Sequence, residues 1–291
     1  MTRSRALLKE ARPKQWAKNV LVFSAPAAAG VLGHGRPLVN SLVMFVAFCM
    51  ASSGGYFWND ILGVEADRMH PVKRFRPVAS GAVPLGVAKI VGTALLIGGP
   101  ALAFATRWQA GLATLGYVAL TASYSAVWKH IAVVDLVAVA SGYVLRAIAG
   151  ALAVDVPMSS WFILSVTFGS LFVITGKRYA EMRELGAEGA SIRATLDDYS
   201  LGFLRIVLSV SCGATLLAYC FWAFEAKSAA ESSWPFYQLS IVPMLTALLR
   251  YLLILEQGHG AAPEEIFFAD RTLQILGVVW IAVFAMGVYT T

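Results

Sequence analysis

Apolar runs of about 20 residues recur along this chain, and short polar segments separate them. A helix needs ~20 apolar residues to cross the ~30 Å hydrocarbon core of a bilayer, so each run predicts a membrane span. Of the 291 residues, 58% are hydrophobic and only 14% are charged, against about a quarter charged in soluble domains. The pattern predicts an all-α membrane protein, a bundle of about nine transmembrane helices. The predicted spans are about 17–33, 38–58, 84–105, 109–128, 131–153, 158–176, 201–224, 237–256 and 270–290.

Lys and Arg are shared unevenly between the two sides of these predicted spans. The N-terminal tail and the loops after the second, fourth, sixth and eighth spans are basic, whereas the alternate loops hold only Arg36, Arg107 and Lys227. Short basic loops stay in the cytoplasm. The bias therefore predicts a multi-pass protein of the inner (plasma) membrane, with its N-terminus and its charged loops in the cytoplasm.

Residues 1–291 are predicted to form a single transmembrane domain in contact with membrane lipids. Residues 1–16 are basic, with Leu7, Leu8 and Ala11 on one side of a short helix, which suits a segment lying on an anionic membrane surface. A solvated basic tail is the alternative. The formal net charge of +6 reflects membrane topology, because the cations lie in juxtamembrane segments, so no nucleic acid partner is expected.

The loop after the second predicted span is densely charged and reads NDILGVEADRMHPVKRFRPVASG at residues 59–81. If the helix continues past Asp60, seven residues at ~100° each bring Asp67 back to almost the same face. With Asn59 these are hard oxygen ligands, which suit Mg²⁺. Acids at a membrane mouth are costly and usually functional, so Asn59, Asp60 and Asp67 are predicted metal ligands and both aspartates are predicted catalytic residues. A solvated, neutralised acidic face is the alternative.

Three cations follow these acids, and their chemistry suits phosphate. Arg offers phosphate oxygens a bidentate fork and Lys offers a point charge. Lys73, Arg74 and Arg76 are therefore predicted to bind substrate phosphate. Metal-binding acids next to phosphate-binding cations are typical of a site that binds a diphosphate together with a metal ion.

The arrangement resembles the UbiA superfamily of intramembrane prenyltransferases, whose first signature is NDxxDxxxD after the second span. Asn59, Asp60 and Asp67 match it, and Gly63 stands where the middle aspartate is usual. RPKQWAKN before the first span and YSAVWKH after the fourth also look like the superfamily. The resemblance implies a central polar cavity that opens to the cytoplasm. Gly63 implies fewer protein ligands, weaker metal binding or recruitment of Glu65, which lies off the shared face.

Further segments look like the branch that makes polyprenylphosphoryl 5-phosphoribose for actinobacterial arabinan synthesis, namely HPVKRFRPVASG, VVDLVAVASGYVLRAIAGA and GKRYAE. The branch implies transfer of 5-phosphoribose from 5-phosphoribosyl diphosphate to decaprenyl (polyprenyl) phosphate, with Mg²⁺ as cofactor and diphosphate as the leaving group. Tyr124 and Lys129 match family positions that contact phosphate, although an interfacial Tyr or Lys is also an ordinary membrane anchor. A homo-oligomer is compatible with this prediction.

The loop after the sixth span is net basic where ordinary members of the superfamily carry a second acidic motif. It contains Lys177, Arg178 and Glu181, followed by Arg183 and Arg193. Cations at this place weaken a second Mg²⁺ site and complement bare phosphate. Lys177, Arg178 and Glu181 are therefore predicted substrate-binding residues, and the phosphates of the sugar donor and the lipid acceptor account for the extra cations.

One predicted span carries charge in its interior. Asp135 and Arg146 lie eleven residues apart, close to three helical turns, and so on one face. Charges within a span normally face the bundle interior or a wet cavity, which makes Arg146 a predicted contact for phosphate or for the acidic motif. Polar bridging between neighbouring helices is the alternative.

Two other functions stay open beside phosphoribosyl transfer. A UbiA-type prenyltransferase that moves a prenyl group from a prenyl diphosphate to an aromatic acceptor is expected to keep two intact acidic motifs. A transporter or lipid-binding protein is expected to show matched, Gly/Pro-broken helices in two halves, and no such repeat is visible in the sequence. Phosphoribosyl transfer needs no general base, because the attacking lipid phosphate is already anionic at neutral pH.

Overall fold

The computed structural model describes residues 2–185, 198–229, 234–258 and 263–290, and every regular element within these ranges is helical. The predicted all-α fold class is therefore confirmed. Short 3-10 segments and turns connect the α-helices. Their bounds are α1 Arg3–Glu10, α2 Ser24–Ala28, α3 Gly35–Leu62, α4 Val64–Met69, α5 Leu85–Phe104, α6 Trp108–Ala126, α7 Val134–Val154, α8 Ser160–Leu185, α9 Leu201–Ala229, α10 Phe236–Leu239, α11 Ile241–Glu256, α12 Pro263–Ala269 and α13 Arg271–Tyr289.

Seven stretches among the described residues are long and apolar enough to cross a membrane, and they contain α3, α5, α7, α8, α9, α11 and α13. The predicted count of nine is not confirmed. The expected first span is a 3-10 segment, Pro13–Phe23, followed by the five-residue α2. Pro26 removes a backbone donor there, and Gly30 turns the chain with a φ of 70°. The expected fourth span is α6, a 19-residue helix with Gln, Thr and Ser residues, which is not among the seven.

The chain divides into two compact units. The first unit is Met1–Ala126 with Leu145–Pro157. In it α3 packs along α5, and glycines allow a close approach of the two backbones. A Cβ at Gly99 would lie only 2.7 Å from the carbonyl oxygen of Ala47. This packing fixes α3, whose last turn carries the first charged cluster.

The second unit is Val127–Val144 with Met158–Thr291. In it α8 packs along α9 and α11 along α13. Phe172, Tyr179 and Leu255 are core side chains with at most 2% of their surface exposed. These contacts hold the last turns of α8, which carry the second charged cluster. The predicted single domain stays a prediction.

Candidate active site

The first charged cluster forms where α3 ends. Gly63 separates α3 from α4 with a φ of −94° and a ψ of 9°. Its N–H donates to the Asn59 carbonyl at 3.0 Å, and the Asp67 N–H donates to the Gly63 carbonyl at 2.9 Å. The backbone therefore follows an almost helical path through Gly63. Asp60 and Asp67 come to the same side, as helix geometry predicts.

Asp60 and Asp67 share one guanidinium. Arg76 Nη1 lies 3.1 Å from Asp60 Oδ1 and 2.7 Å from Asp67 Oδ2. The two acid side chains are 2% and 10% exposed, whereas Arg76 is 31% exposed. Asn59 Nδ2 lies 3.5 Å from Asp60 Oδ1. The structure thus brings together the predicted metal ligands and one predicted phosphate-binding residue.

Arg12, from the segment before the first 3-10 helix, also reaches Asp60. Its Nη2 lies 2.7 Å from Oδ1 and 2.6 Å from Oδ2 of that carboxylate. Arg12 has a left-handed backbone with a φ of 54°, and its guanidinium stands 4.7 Å from the centroid of the Tyr56 ring. Sequence analysis missed this residue, because the contact joins positions 48 residues apart.

The remaining loop cations take different positions. His70 Nδ1 accepts the backbone N–H groups of Val72 at 3.1 Å and Lys73 at 3.2 Å, which turns the loop. Lys73 lines the cavity described next. Arg74 is exposed and its guanidinium lies 4.8 Å from the centroid of the Phe75 ring. Two neighbouring residues with the same predicted role therefore have different surroundings.

A cavity of about 330 Å³ adjoins the cluster within the first unit. A volume of this size suits a small ligand. Cations and acids from three parts of the sequence surround it, so it suits a ligand with negative groups and a metal. The lining residues are Lys9, Glu10, Arg12, Asp60, Val72, Lys73, Phe75, Arg76 and Pro77.

Glu10, the last residue of α1, is a second residue that sequence analysis missed. Its side chain is 1% exposed, and no group among the described residues donates a hydrogen bond of normal geometry to either carboxylate oxygen, although the Asp60 carboxyl and the Val78 backbone lie close to it. Burial raises the pKa of Glu10 to about 8, and the neighbouring Asp60 carboxyl adds to the shift. One signal was available, since Glu10 is the only acidic residue before Asp60 in the sequence.

The donor atoms of this cluster fit Mg²⁺, which takes one or two carboxylates and other oxygen ligands. Asp60, Asp67 and Asn59 supply only oxygen and amide groups, and Glu10 is a buried acid beside Asp60. Within the described ranges no three His, Cys, Asp or Glu side chains form a ready metal cage. Arg12 and Arg76 bind the carboxylate oxygens of Asp60 and Asp67 that a bound metal would use.

A second charged cluster lies in the second unit, around Asp135. Arg178 Nε lies 3.3 Å from Asp135 Oδ2, and Arg178 Nη1 lies 3.1 Å from Glu181 Oε2. The Tyr199 hydroxyl donates to Asp135 Oδ1 and accepts the Val133 N–H at 2.6 Å. Burial, together with Asp135, raises the pKa of Tyr199. Asp135 is fully buried and Arg178 is 3% exposed, so the cluster is internally paired.

Arg146 belongs to a different network from Asp135, although α7 carries both. Its Nε donates to Asn19 Oδ1 at 2.8 Å and its Nη2 donates to the Tyr117 hydroxyl at 2.9 Å. Asn19 is fully buried and Arg146 is 5% exposed. Neighbouring helical segments thus bind this guanidinium, while its predicted contact with substrate remains a prediction.

Three other predicted substrate contacts lie near helix ends. Tyr124 lies in the last turn of α6, and Lys129 lies in the 3-10 segment Trp128–His130. Lys177 Nζ lies 3.9 Å from Glu181 Oε1. All three are partly exposed and remain predictions. Arg193 lies outside the described residues.

A model of the UbiA prenyltransferase family matches residues 20–276 of the chain. The decaprenyl-phosphate phosphoribosyltransferase of Corynebacterium glutamicum is 42% identical over 287 residues, which cover 97% of this chain and 86% of that protein. The protein of the same name from Mycobacterium tuberculosis is 42% identical over 282 residues, which cover 95% of this chain and 92% of that protein.

A solved structure with a similar fold is a UbiA homolog from Archaeoglobus fulgidus bound to GPP and Mg²⁺. It gives a TM-score of 0.73 over 98% of this chain and 100% of that chain, at 18% sequence identity. At this identity the similarity concerns the fold, and it agrees with the helical architecture described above.

Proposed function

The chain belongs to the UbiA prenyltransferase family, and we propose that it transfers 5-phosphoribose from 5-phosphoribosyl diphosphate to a polyprenyl phosphate, releasing diphosphate. The observation that carries this proposal is the similarity to decaprenyl-phosphate phosphoribosyltransferases, at 39–42% identity over 95–97% of the chain. Long polyprenyl phosphates such as decaprenyl phosphate are the proposed acceptors. The product is a polyprenylphosphoryl-5-phosphoribose of the kind used in arabinan synthesis.

The first charged cluster supports this proposal chemically. A sugar diphosphate presents several phosphate oxygens, and Lys73, Arg12 and Arg76 are cations at the cavity. Arg12 and Arg76 are 28% and 31% exposed, so both can exchange an oxygen of Asp60 for one of phosphate. The site therefore suits the diphosphate part of the donor.

The reaction needs charge stabilisation more than proton transfer. A lipid phosphate oxygen bonds to C1 of the ribose as the bond from C1 to the diphosphate oxygen breaks. Positive charge develops on the ribose and negative charge on the diphosphate, where fixed cations such as Arg76 lower the barrier. A bound Mg²⁺, held by Asp60, Asp67 and Asn59, would neutralise the same leaving group. In-line attack inverts C1 and gives a β-linked product from an α-linked donor.

By the positive-inside rule, the basic loops support a cytoplasmic location for this chemistry at the inner membrane. Arg178 and Glu181 are paired with each other in the second unit, and Arg178 also with Asp135. We therefore propose that Arg178 and Glu181 mainly stabilise α8. Lys177 is more exposed and is the better candidate for phosphate binding. Tyr124 and Lys129 keep the same proposed role.

The test uses the full chain in lipid nanodiscs with radiolabelled 5-phosphoribosyl diphosphate, decaprenyl phosphate and Mg²⁺. Label is expected in the organic phase, and EDTA or Asp60→Asn is expected to abolish it. Asp155→Asn is the matched control, because Asp155 belongs to the same unit but pairs with Arg107 and is 79% exposed. No label in lipid, together with transfer from a prenyl diphosphate to an aromatic acceptor, would contradict the proposal.

A further inference from the structure

Among the described residues, Glu10 is a buried acid that forms no ion pair, and its polar neighbours are the Asp60 carboxyl and the Val78 backbone. Its side chain is 1% exposed, both of its oxygens are inaccessible to water, and it lines the cavity beside Asp60. A buried acid without a charged partner of opposite sign in contact with it costs free energy. The nearby Asp60 differs, because Arg12 and Arg76 bind it. Glu10 is thus the carboxylate of this cluster that a ligand can engage without breaking an ion pair.

The sequence lacks a carboxylate at position 63, and two other acids could supply one. Glu65 follows Gly63 closely, but its side chain is 80% exposed and pairs with Arg68 at 2.8 Å. Glu10 comes from another part of the chain and is buried next to Asp60 at the cavity. Proximity in sequence favours Glu65, whereas geometry favours Glu10.

We propose that Glu10 is a ligand of the divalent cation in this site and takes the place of the carboxylate that Gly63 lacks. Two adjacent carboxylates repel each other unless a cation or a proton lies between them, and oxygen-rich surroundings suit a hard divalent ion. The inference rests on the proposed function only in requiring a cation at Asp60.

The test measures cation binding alone, so that it does not depend on which reaction the protein catalyses. Full-length protein in phosphatidylcholine nanodiscs, without substrate, is titrated with Mn²⁺ and the free ion is followed by electron paramagnetic resonance. Glu10→Gln is expected to raise the Kd by about tenfold or more, since charge count tunes the affinity of such sites. Glu65→Gln, an equal change of charge close to Gly63, is expected to leave the Kd within about twofold.

A rescue separates a ligand from a residue that merely supports the fold. Gly63→Asp placed in Glu10→Gln is expected to restore Mn²⁺ affinity, because it returns a carboxylate next to Asp60. A Cβ at Gly63 meets only the Asn59 carbonyl, at 3.3 Å, and the backbone φ there is negative, so aspartate fits after a small adjustment. Damage to α1 would not be repaired in this way.

Three outcomes would overturn the proposal. The first is an unchanged Kd in Glu10→Gln. The second is a loss of affinity in Glu65→Gln instead. The third outcome can be measured even if Glu10→Gln does not fold. Gly63→Asp in the wild-type background is expected to change the Kd by less than about threefold. A large gain in affinity would show that Glu10 does not replace the carboxylate that is absent at position 63. Transfer activity, measured separately, tests the proposed function.

Discussion

Asp60 and Asp135 are both buried carboxylates bound by arginine, but access to their partners differs. Arg12 and Arg76, which bind Asp60, are 28% and 31% exposed, and a cavity of about 330 Å³ adjoins them. Arg178, which binds Asp135, is 3% exposed. A ligand can replace a partner that is partly exposed and borders a cavity. A fully buried pair has no such exchange available, so we expect it to stabilise the fold.

The energetics of ion pairs turn this difference into separate expectations. Removing one member of a fully buried pair leaves an uncompensated charge and destabilises the protein strongly. Removing a charge where the partners can reach solvent or ligand costs less stability. Substitutions in the cluster around Asp60 should therefore lower activity, and substitutions in the cluster around Asp135 should lower the free energy of unfolding.

The largest effect is expected from Asp60→Asn. This change keeps the shape of the side chain and an oxygen that can accept from Arg12 and Arg76, but it removes the charge proposed to hold the metal. We expect kcat/KM for 5-phosphoribosyl diphosphate to fall by about 10³-fold, or ~4 kcal/mol of activation free energy. The unfolding temperature of the nanodisc protein is expected to change little. Retention of most of the activity would place the reaction at another site.

The next largest effect is expected from Asp135→Asn, which removes the fully buried carboxylate that pairs with Arg178 and leaves Glu181 as the remaining charged partner of its guanidinium. We expect a loss of about 3 kcal/mol in the free energy of unfolding, measured by denaturant or thermal unfolding, with the rate per folded molecule close to wild type. Asp198→Asn is the matched control, because Asp198 is an exposed acid next to Tyr199. A loss of activity without a loss of stability would instead support the predicted substrate contact of Arg178.

Local spacing was enough to predict part of the first cluster. Seven residues of helix bring Asp67 back to the face of Asp60, and Gly63 does not disturb this path because its backbone stays nearly helical. The helical fold class was predictable for a similar reason, since hydropathy is a property of consecutive residues. The family signature also lies within a short stretch of sequence.

Contacts between distant segments were not predictable in this way. Arg12 binds Asp60 across 48 residues of sequence, and Glu10 lies beside the same carboxylate. The sequence around them indicates a basic amphipathic helix and a segment that resembles the superfamily, but neither pattern predicts a contact with Asp60. Asp135 and Arg146 share a helix face, as predicted, yet each finds its partners on other segments: Tyr199 and Arg178 for Asp135, and Asn19 for Arg146. Helical periodicity gives the direction of a side chain, and tertiary packing decides what it meets.

An intermediate effect is expected at two neighbouring arginines that the sequence assigns the same role. Arg76 lines the cavity and binds both aspartates, whereas Arg74 is exposed and lies over the Phe75 ring. We expect Arg76→Gln to lower kcat/KM by about 30-fold, the equivalent of one charge-assisted hydrogen bond. Arg74→Gln is expected to lower it by about twofold. Equal losses in the two variants would show that phosphate binding extends beyond the cavity lining.

The smallest effect is expected at Asp270, where we expect a partly exposed ion pair to be structural. Arg250 Nη2 lies 2.6 Å from Asp270 Oδ2, with side chains 33% and 16% exposed, and Asp270 Oδ1 caps α13 by accepting the Leu273 N–H at 2.8 Å. The Arg250 hydrogen bond and then the Leu273 N–H hold the pKa of Asp270 below its ordinary value.

A depressed pKa fixes the sign of the pH dependence at Asp270. The charged form is favoured in the folded state, so its contribution to stability is complete above the ordinary pKa of about 3.9 and is lost as the pH falls through the folded value. Asp270→Asn keeps the helix cap and removes only the charge. We expect a slightly lower unfolding temperature at pH 7, a difference that shrinks below about pH 4, and unchanged transfer activity. A difference in unfolding temperature that is independent of pH would assign the effect to the helix cap. A loss of activity would mean that a partly exposed ion pair can take part in the reaction even where it does not line the cavity.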